Sequence, residues 1–165
     1  MLVDFTTLPD NARIWLYQSD QKFIDEQVAQ IHRDLSTFLT SWTAHGSTLK
    51  AGFEIKYNRF IIIGLDQSQA SASGCSIDSQ VRFIQSLQEE LGVDLLDKMN
   101  VTYYQNERIH YKPLLDFKKM AKDGAVGKRT IVFNNLVTTV GEYKTDWEIP
   151  AIDSWHARFL SKGKA

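Results

Sequence analysis

The sequence is poor in the features that mark several specialised protein classes. It holds one cysteine, Cys75, so no internal disulfide can form and a disulfide scaffold is excluded. An unpaired thiol suits a reducing compartment. Neither sign of charge is in excess: 19 Lys and Arg face 20 Asp and Glu, for a formal net charge of -1. Nothing in that balance draws the chain toward nucleic acid or an anionic membrane. The longest strongly apolar run, Phe60 to Leu65, is far short of the roughly 18 residues a spanning helix needs. The first residues, Met1-Leu2-Val3-Asp4, lack a basic stretch followed by an apolar one, so no signal peptide is expected. These absences together predict a cytoplasmic protein with neither membrane nor nucleic acid as partner.

What is present describes an ordinary globular chain. Its 165 residues favour one domain over 1–160, followed by a loose tail at 161–165. A domain of this size buries roughly 70% of the surface its unfolded chain exposes. With 43% hydrophobic and 24% charged residues, disorder is excluded and a real core is expected.

Periodicity supplies the elements. Arg13 to Tyr17 is β-prone and ends in polar Gln18-Ser19-Asp20, which reads as a strand followed by a cap at Ser19 or Asp20. Ile24, Val28, Ile31, Leu35, Phe38 and Trp42 recur every three or four residues and predict a long helix ending at Trp42 or Thr43. Lys50 to Lys56 and Arg59 to Leu65 predict a hairpin turning at Tyr57-Asn58. Ile61-Ile62-Ile63 has no polar alternation, so that strand is expected at the centre of a sheet covered on both faces.

After the small, polar loop Ser68 to Gly74, a second helix carries Ile77, Val81, Ile84, Leu87 and Leu91 and stops at Gly92. Val101 to Gln105 and Arg108 to Tyr111 predict a second hairpin turning at Asn106-Glu107. Leu114 to Ala121 predicts a short helix with lysines toward its end. Ile131 to Phe133 is ambiguous. Leu136 to Trp147 is expected to be helical despite its β-branched run, and Asp153 or Ser154 caps a last short helix. The order β-α-β-β-α-β predicts an α+β fold with an antiparallel sheet of about five strands. Its core would be ferredoxin-like, with a C-terminal helical extension. Exposed sheet in such folds is often covered by a second copy, which makes a homodimer a possible assembly.

Four stretches carry a family resemblance: Ser41-Trp42-Thr43-Ala44-His45-Gly46, Gly74-Cys75-Ser76-Ile77-Asp78, Tyr111-Lys112-Pro113-Leu114 and Asp153-Ser154-Trp155-His156. They resemble an uncharacterised family of short bacterial proteins, similar over nearly the whole chain, whose members often carry the label "ABC transporter ATPase". No activity or site comes with the resemblance. The label fails a physical test. A phosphate-binding loop of that kind needs Gly-x-x-x-x-Gly-Lys-Ser/Thr between a strand and a helix. The nearest stretch, Gly124-Ala125-Val126-Gly127-Lys128-Arg129-Thr130, has its glycines too close and Arg129 where the hydroxyl belongs. ABC-type ATPase activity is therefore not expected.

The predicted topology places the loop after the first helix and the loop before the second at one end of the sheet. The first carries Trp42, His45 and Gly46. The second carries Asp66, Ser68, Gly74, Cys75, Ser76 and Asp78. Cys75 at a helix start would have its thiolate stabilised by free amides and the dipole. His45 could serve as its base, and Asp66 or Asp78 could orient that histidine. The same loop could instead hold an anion on backbone amides. Each residue also has a structural reading: Cys75 as a small buried hydrophobe, Ser76 and Asp78 as capping residues, His45 as a loop hydrogen-bonder and Asp66 as a turn former.

No pair of histidines has ligand spacing and no Cys-x-x-Cys occurs, so neither metal nor cofactor is expected. Lys118, Lys119 and Lys122 read as a solvated helix face. Trp15, Phe53, Tyr57, Tyr103 and Tyr104 read as packing on strands, and Trp147, Trp155 and Phe159 as anchors for the C-terminal segment. The expected function is binding of a small ligand, anions included, or of a protein partner at the paired loops. The alternatives are a cysteine-dependent hydrolase or transferase using Cys75 and His45, and a structural dimerising module.

Overall fold

The computed structural model describes residues 1–160; the loose tail expected at Ser161 to Ala165 lies outside the described residues. In chain order the regular elements are β1 (Arg13–Gln18), α1 (Asp25–Thr40), β2 (Thr43–Ala44), β3 (Ser47–Thr48), β4 (Lys50–Lys56), β5 (Phe60–Asp66) and α2 (Gly74–Leu91). They continue with β6 (Val101–Gln105), β7 (Arg108–Lys112), α3 (Leu114–Lys122), β8 (Ile131–Phe133), α4 (Val140–Asp146) and β9 (Glu148–Pro150). Short 3-10 turns sit at Phe5–Thr7, Ala151–Asp153 and Trp155–Phe159. The protein is α+β with antiparallel strand pairing.

Strand β5 lies between β1 and β4 and is antiparallel to both. Every one of its residues is buried. Side chains alternate across a strand, so the run of isoleucines feeds two cores. Ile61, Ile63 and Leu65 join Trp15 and Tyr17 beneath α1 and α2. Phe60 and Ile62 join Ile14 and Leu16 beneath the C-terminal elements. The two helices are tied to each other by Phe38 stacked on Phe83, with centroids 4.7 Å apart, and by Gln30 Nε2 donating to Glu90 Oε2 at 2.8 Å.

The expected single sheet of about five strands is replaced by sheets of three, two and four strands. The first three strands of the β-α-β-β-α-β pattern are in place, in the order β1-β5-β4. The fourth, β6, does not extend the ladder along β1; it pairs with β7 and β8 in the second large sheet, ordered β7-β6-β8-β9. The edge of β1 is met instead by residues near Thr138, whose carbonyl accepts from Ile14 N at 2.9 Å. The C-terminal part is therefore not a helical extension. Residues Leu136 to Thr139, expected to be helical, precede a helix that spans only Val140 to Asp146, as the β-branched run Val137-Thr138-Thr139 favours extended backbone.

Helix α1 also differs at its ends. It starts at Asp25, with Gln27 Oε1 accepting from Ile24 N at 2.9 Å. Ser19 Oγ accepts from Gln21 N and Asp20 Oδ1 from Asp94 N, so both expected caps serve the loop instead. Trp42 has left the helix and turns into the core. Both hairpins turn where expected, with Tyr57-Asn58 and Asn106-Glu107 in the left-handed region that tight two-residue turns require.

Two opposed glycines seat the N-terminal segment. Gly52 and Gly64 pair across β4 and β5. A Cβ at Gly52 would stand 2.5 Å from the Val3 carbonyl oxygen, and one at Gly64 2.5 Å from a Leu8 methyl. The bare backbone forms a notch into which Phe5 and Leu8 pack. Val3 N donates to the Ala51 carbonyl at 2.8 Å, so this segment also covers the outer edge of β4.

One side chain joins the two large sheets where no ladder does. Gln18, at the end of β1, is 2% exposed. Its Nε2 donates to the carbonyls of Asp97 at 3.1 Å and Asn100 at 2.7 Å. Its Oε1 accepts from Thr102 Oγ1 at 2.8 Å and Asn135 Nδ2 at 2.7 Å. Asn135 Oδ1 in turn accepts from Trp147 Nε1 at 2.9 Å. The amide thus uses both donors and both acceptor sites.

Replacing Gln18 with Leu leaves several buried groups unpaired, each costing about 1–3 kcal/mol. Relaxation of the site reduces the sum, and Gln18→Leu is expected to lose about 2–4 kcal/mol by urea unfolding, or roughly 5–15 °C in Tm. An unchanged midpoint would contradict the role given to this amide.

His156 is buried against Phe117 and Trp155, and burial followed by the Arg158 charge lowers its pKa from 6.5 to about 4. The unfolded state then binds a proton that the folded state refuses between those values. Stability is expected to fall as pH drops from 6.5 to about 4 and to lose that slope in His156→Phe, measured by denaturation at successive pH values.

Candidate functional site

The loops expected to meet do so at one point. Trp42 Nε1 donates to the Ser76 carbonyl at 2.9 Å, tying the segment after α1 to the first turn of α2. Beyond Trp42 the chain makes the small β2–β3 hairpin, with His45 (φ 50°) and Gly46 (φ 78°) both exposed at its tip. Ser73 caps α2: its hydroxyl accepts from Ser76 N at 3.1 Å, and Ser76 Oγ accepts from Ser73 N at 2.8 Å. Ser76 therefore acts as a capping partner. Gly74, Cys75 and Asp78 are exposed along the same turn.

Asp66 stands apart from these groups. Its Oδ1 accepts from Ser68 N at 3.0 Å and its Oδ2 lies 3.7 Å from Lys50 Nζ. The Ser68 amide, more than Lys50, holds its carboxyl below the usual carboxylate range. Strand alternation puts it on the face away from the helices, with Phe60 and Ile62. Among the described residues no hydrogen bond or ion pair joins His45, Asp66 or Asp78 to Cys75. No group of three His, Cys, Asp or Glu side chains there is arranged to hold a metal.

A different place combines concavity with convergent polar groups. A cleft of about 340 Å³ opens between β4, the N-terminal segment and α4. Phe5, Leu8 and Val140 form its apolar side, Trp147 and Tyr143 its aromatic side, and Glu54, Lys56 and Glu148 its rim. Beyond the glycine notch, the half-buried Glu54 and Lys56 occupy the positions of β4 that face away from α1 and α2, toward the cleft.

The carboxylates are held by tyrosines. Tyr143 OH donates to Glu54 Oε2 at 2.6 Å. Glu148 accepts from two hydroxyls, Tyr104 at 2.9 Å and Tyr57 at 3.0 Å. Burial, before any nearby charge, raises the pKa of all three phenols, so each remains a protonated donor at neutral pH. The indole of Trp147 lies 4.8 Å from Tyr143 and 6.0 Å from Tyr57, nearly parallel to the latter at 16°. Neither Glu54 nor Glu148 forms an ion pair among the described residues, whereas Lys144 at the cleft edge is paired with Asp10 at 2.7 Å. The ammonium of Lys56 lies 5.3 Å over the Tyr57 ring.

Sequence reasoning did not assemble this cluster. It read Tyr57 as a turn residue, Tyr104 as a packing strand aromatic and Trp147 as an anchor. The one legible signal was the alternation Phe53-Glu54-Ile55-Lys56, which marks a strand with one polar, uncovered face. The partners lie 44 to 91 residues apart in the chain, which periodicity does not connect.

Comparison with protein-family models, curated proteins and solved structures finds no match to this chain.

Exposure of Cys75 has a direct consequence. In the folded protein one thiol is expected to react with a chromogenic disulfide reagent without denaturant. A thiol that becomes reactive only on unfolding would rule out every role for Cys75 that needs access.

Proposed function

We propose that this chain is a binding domain for a small organic cation, an amine with an apolar body, held in the cleft between β4, the N-terminal segment and α4. The carrying observation is the pair of carboxylates, Glu54 and Glu148, which lack ionic partners among the described residues and share the cleft with the aromatic side chains of Tyr143 and Trp147. Concave, largely apolar surfaces with a few fixed polar groups are the usual form of small-molecule sites. Aromatic faces attract cations by about 0.5–2 kcal/mol, and adjacent carboxylates add to that attraction. The tyrosine hydroxyls orient the carboxylates without neutralising them, leaving the charge for a ligand. Phe5, Leu8 and Val140 supply the apolar surface for its body. The lone, unpaired thiol supports a cytoplasmic setting.

A second reading keeps the loop end as the site, either as a binding surface or as a cysteine-dependent hydrolase or transferase using Cys75 and His45. The exposure of both residues and the Trp42–Ser76 bond that joins their loops favour it. Among the described residues no bond links the two groups.

Thermal shift and calorimetry with apolar primary and quaternary amines, set against alcohols of the same shape, separate these readings. An amine at a hundredfold excess over its Kd is expected to stabilise the protein by about 2.7 kcal/mol, or roughly 5–10 °C. Glu54→Gln and Glu148→Gln are each expected to weaken binding about tenfold, equivalent to about 1.4 kcal/mol. Equal response to amines and alcohols, or none to either, would defeat the proposal.

A further inference from the structure

A second cleft, of about 660 Å³, lies between the tips of the two hairpins. It is bounded by Tyr57 and Arg59 at the end of β4–β5, by Tyr104 and Arg108 at the end of β6–β7, and by Lys22 from the loop before α1. Its walls are predominantly cationic, whereas the first cleft is lined by two glutamates and two lysines. Lys22, Arg59 and Arg108 form no ion pair among the described residues, while the pairs found there join Arg33 to Asp34, Lys50 to Asp66 and Lys144 to Asp10. Glu107 is the single carboxylate lining it, so the walls carry a net excess of two positive charges: three cations less one anion.

The guanidinium of Arg59 is held in place. It is partly buried, and its terminal nitrogen donates to the Ile109 carbonyl at 3.3 Å, bridging the first hairpin to the second. Burial lowers its pKa, the mark of a cation removed from part of its water. One N–H is spent on that carbonyl, and the guanidinium has others to offer. Both turns that frame the cleft are tight two-residue turns with left-handed backbone at Tyr57-Asn58 and Asn106-Glu107, so Arg59 and Arg108 follow directly on rigid corners.

We infer that the cleft between the hairpin tips binds a small phosphate-bearing molecule, with Arg59 and Arg108 as its principal contacts and Lys22 as a third charge. Two arginines and a lysine around one concavity match a multiply charged phosphate, whose oxygens accept the parallel donors of a guanidinium fork. A singly charged carboxylate would leave half of that excess unneutralised. The inference does not depend on the cation proposed for the first cleft, because the two clefts share no lining residue.

Isothermal titration with inorganic pyrophosphate at low ionic strength tests it. Binding near about 0.1 mM is expected, weakening steeply as sodium chloride rises to 0.5 M, since exposed charges are screened over about 8 Å at physiological salt. Arg108→Ala and Lys22→Ala, both at exposed positions, are expected to lower affinity at least fivefold each. Arg59→Met is expected to abolish it, with the exposed variants deciding the matter should that protein fail to fold. Lys119→Ala, on α3, is the control and is expected to bind as the parent does. No heat with pyrophosphate, affinity untouched by Arg108→Ala, or succinate binding as tightly as pyrophosphate would each overturn the inference.

Discussion

The buried amide of Gln18 is the interaction on which the rest of the architecture turns. It stands where strand β1 ends and where β6 passes without forming a ladder. Its four hydrogen bonds replace the backbone pairing that would have made one continuous sheet. A fully satisfied buried amide specifies one docking geometry, because any other arrangement leaves polar groups unpaired in a low-dielectric interior. Through Asn135 the same network reaches Trp147, whose indole lines the first cleft. The position of the candidate binding surface thus follows from how the second sheet is docked.

Much of the fold was legible from residue patterns. The isoleucine run of β5 announced a strand covered on both faces, and two-sided burial is what it has. Both hairpins turned at the expected residues because left-handed turn positions leave a local signature. The docking of β6 was not legible. A strand of its composition can extend the first sheet or found a second, and the bonds seen across the junction, from Gln18 and from Arg59 to the Ile109 carbonyl, are non-local. The failure at Leu136 to Thr139 is of another kind: apolar spacing suggested a helix, but three successive β-branched residues favoured an extended path that pairs with β1.

The site was less legible than the fold. The loop end drew attention through residue chemistry: a cysteine at a helix start, a histidine in a glycine-flanked turn, two aspartates. The structure ties Trp42 to Ser76 but leaves His45, Asp66 and Cys75 without bonds to one another. The clefts are built instead from tyrosines, glutamates and arginines that look unremarkable singly. Their meaning comes from convergence across three segments, and from which charges have been left without partners. Neither property exists in a linear reading.

The N-terminal segment carries a consequence of its own. Residues 1–8 pair with β4 and lie across the glycine notch, so they cover a strand edge and form one side of the first cleft at once. An uncovered edge offers unpaired N–H and C=O groups to any other chain and invites intermolecular sheet growth. Resistance to aggregation and the shape of the cleft are therefore not separable traits here. A change that loosens this strap, whether a bulky residue in the notch or a load on the chain start, acts on both together.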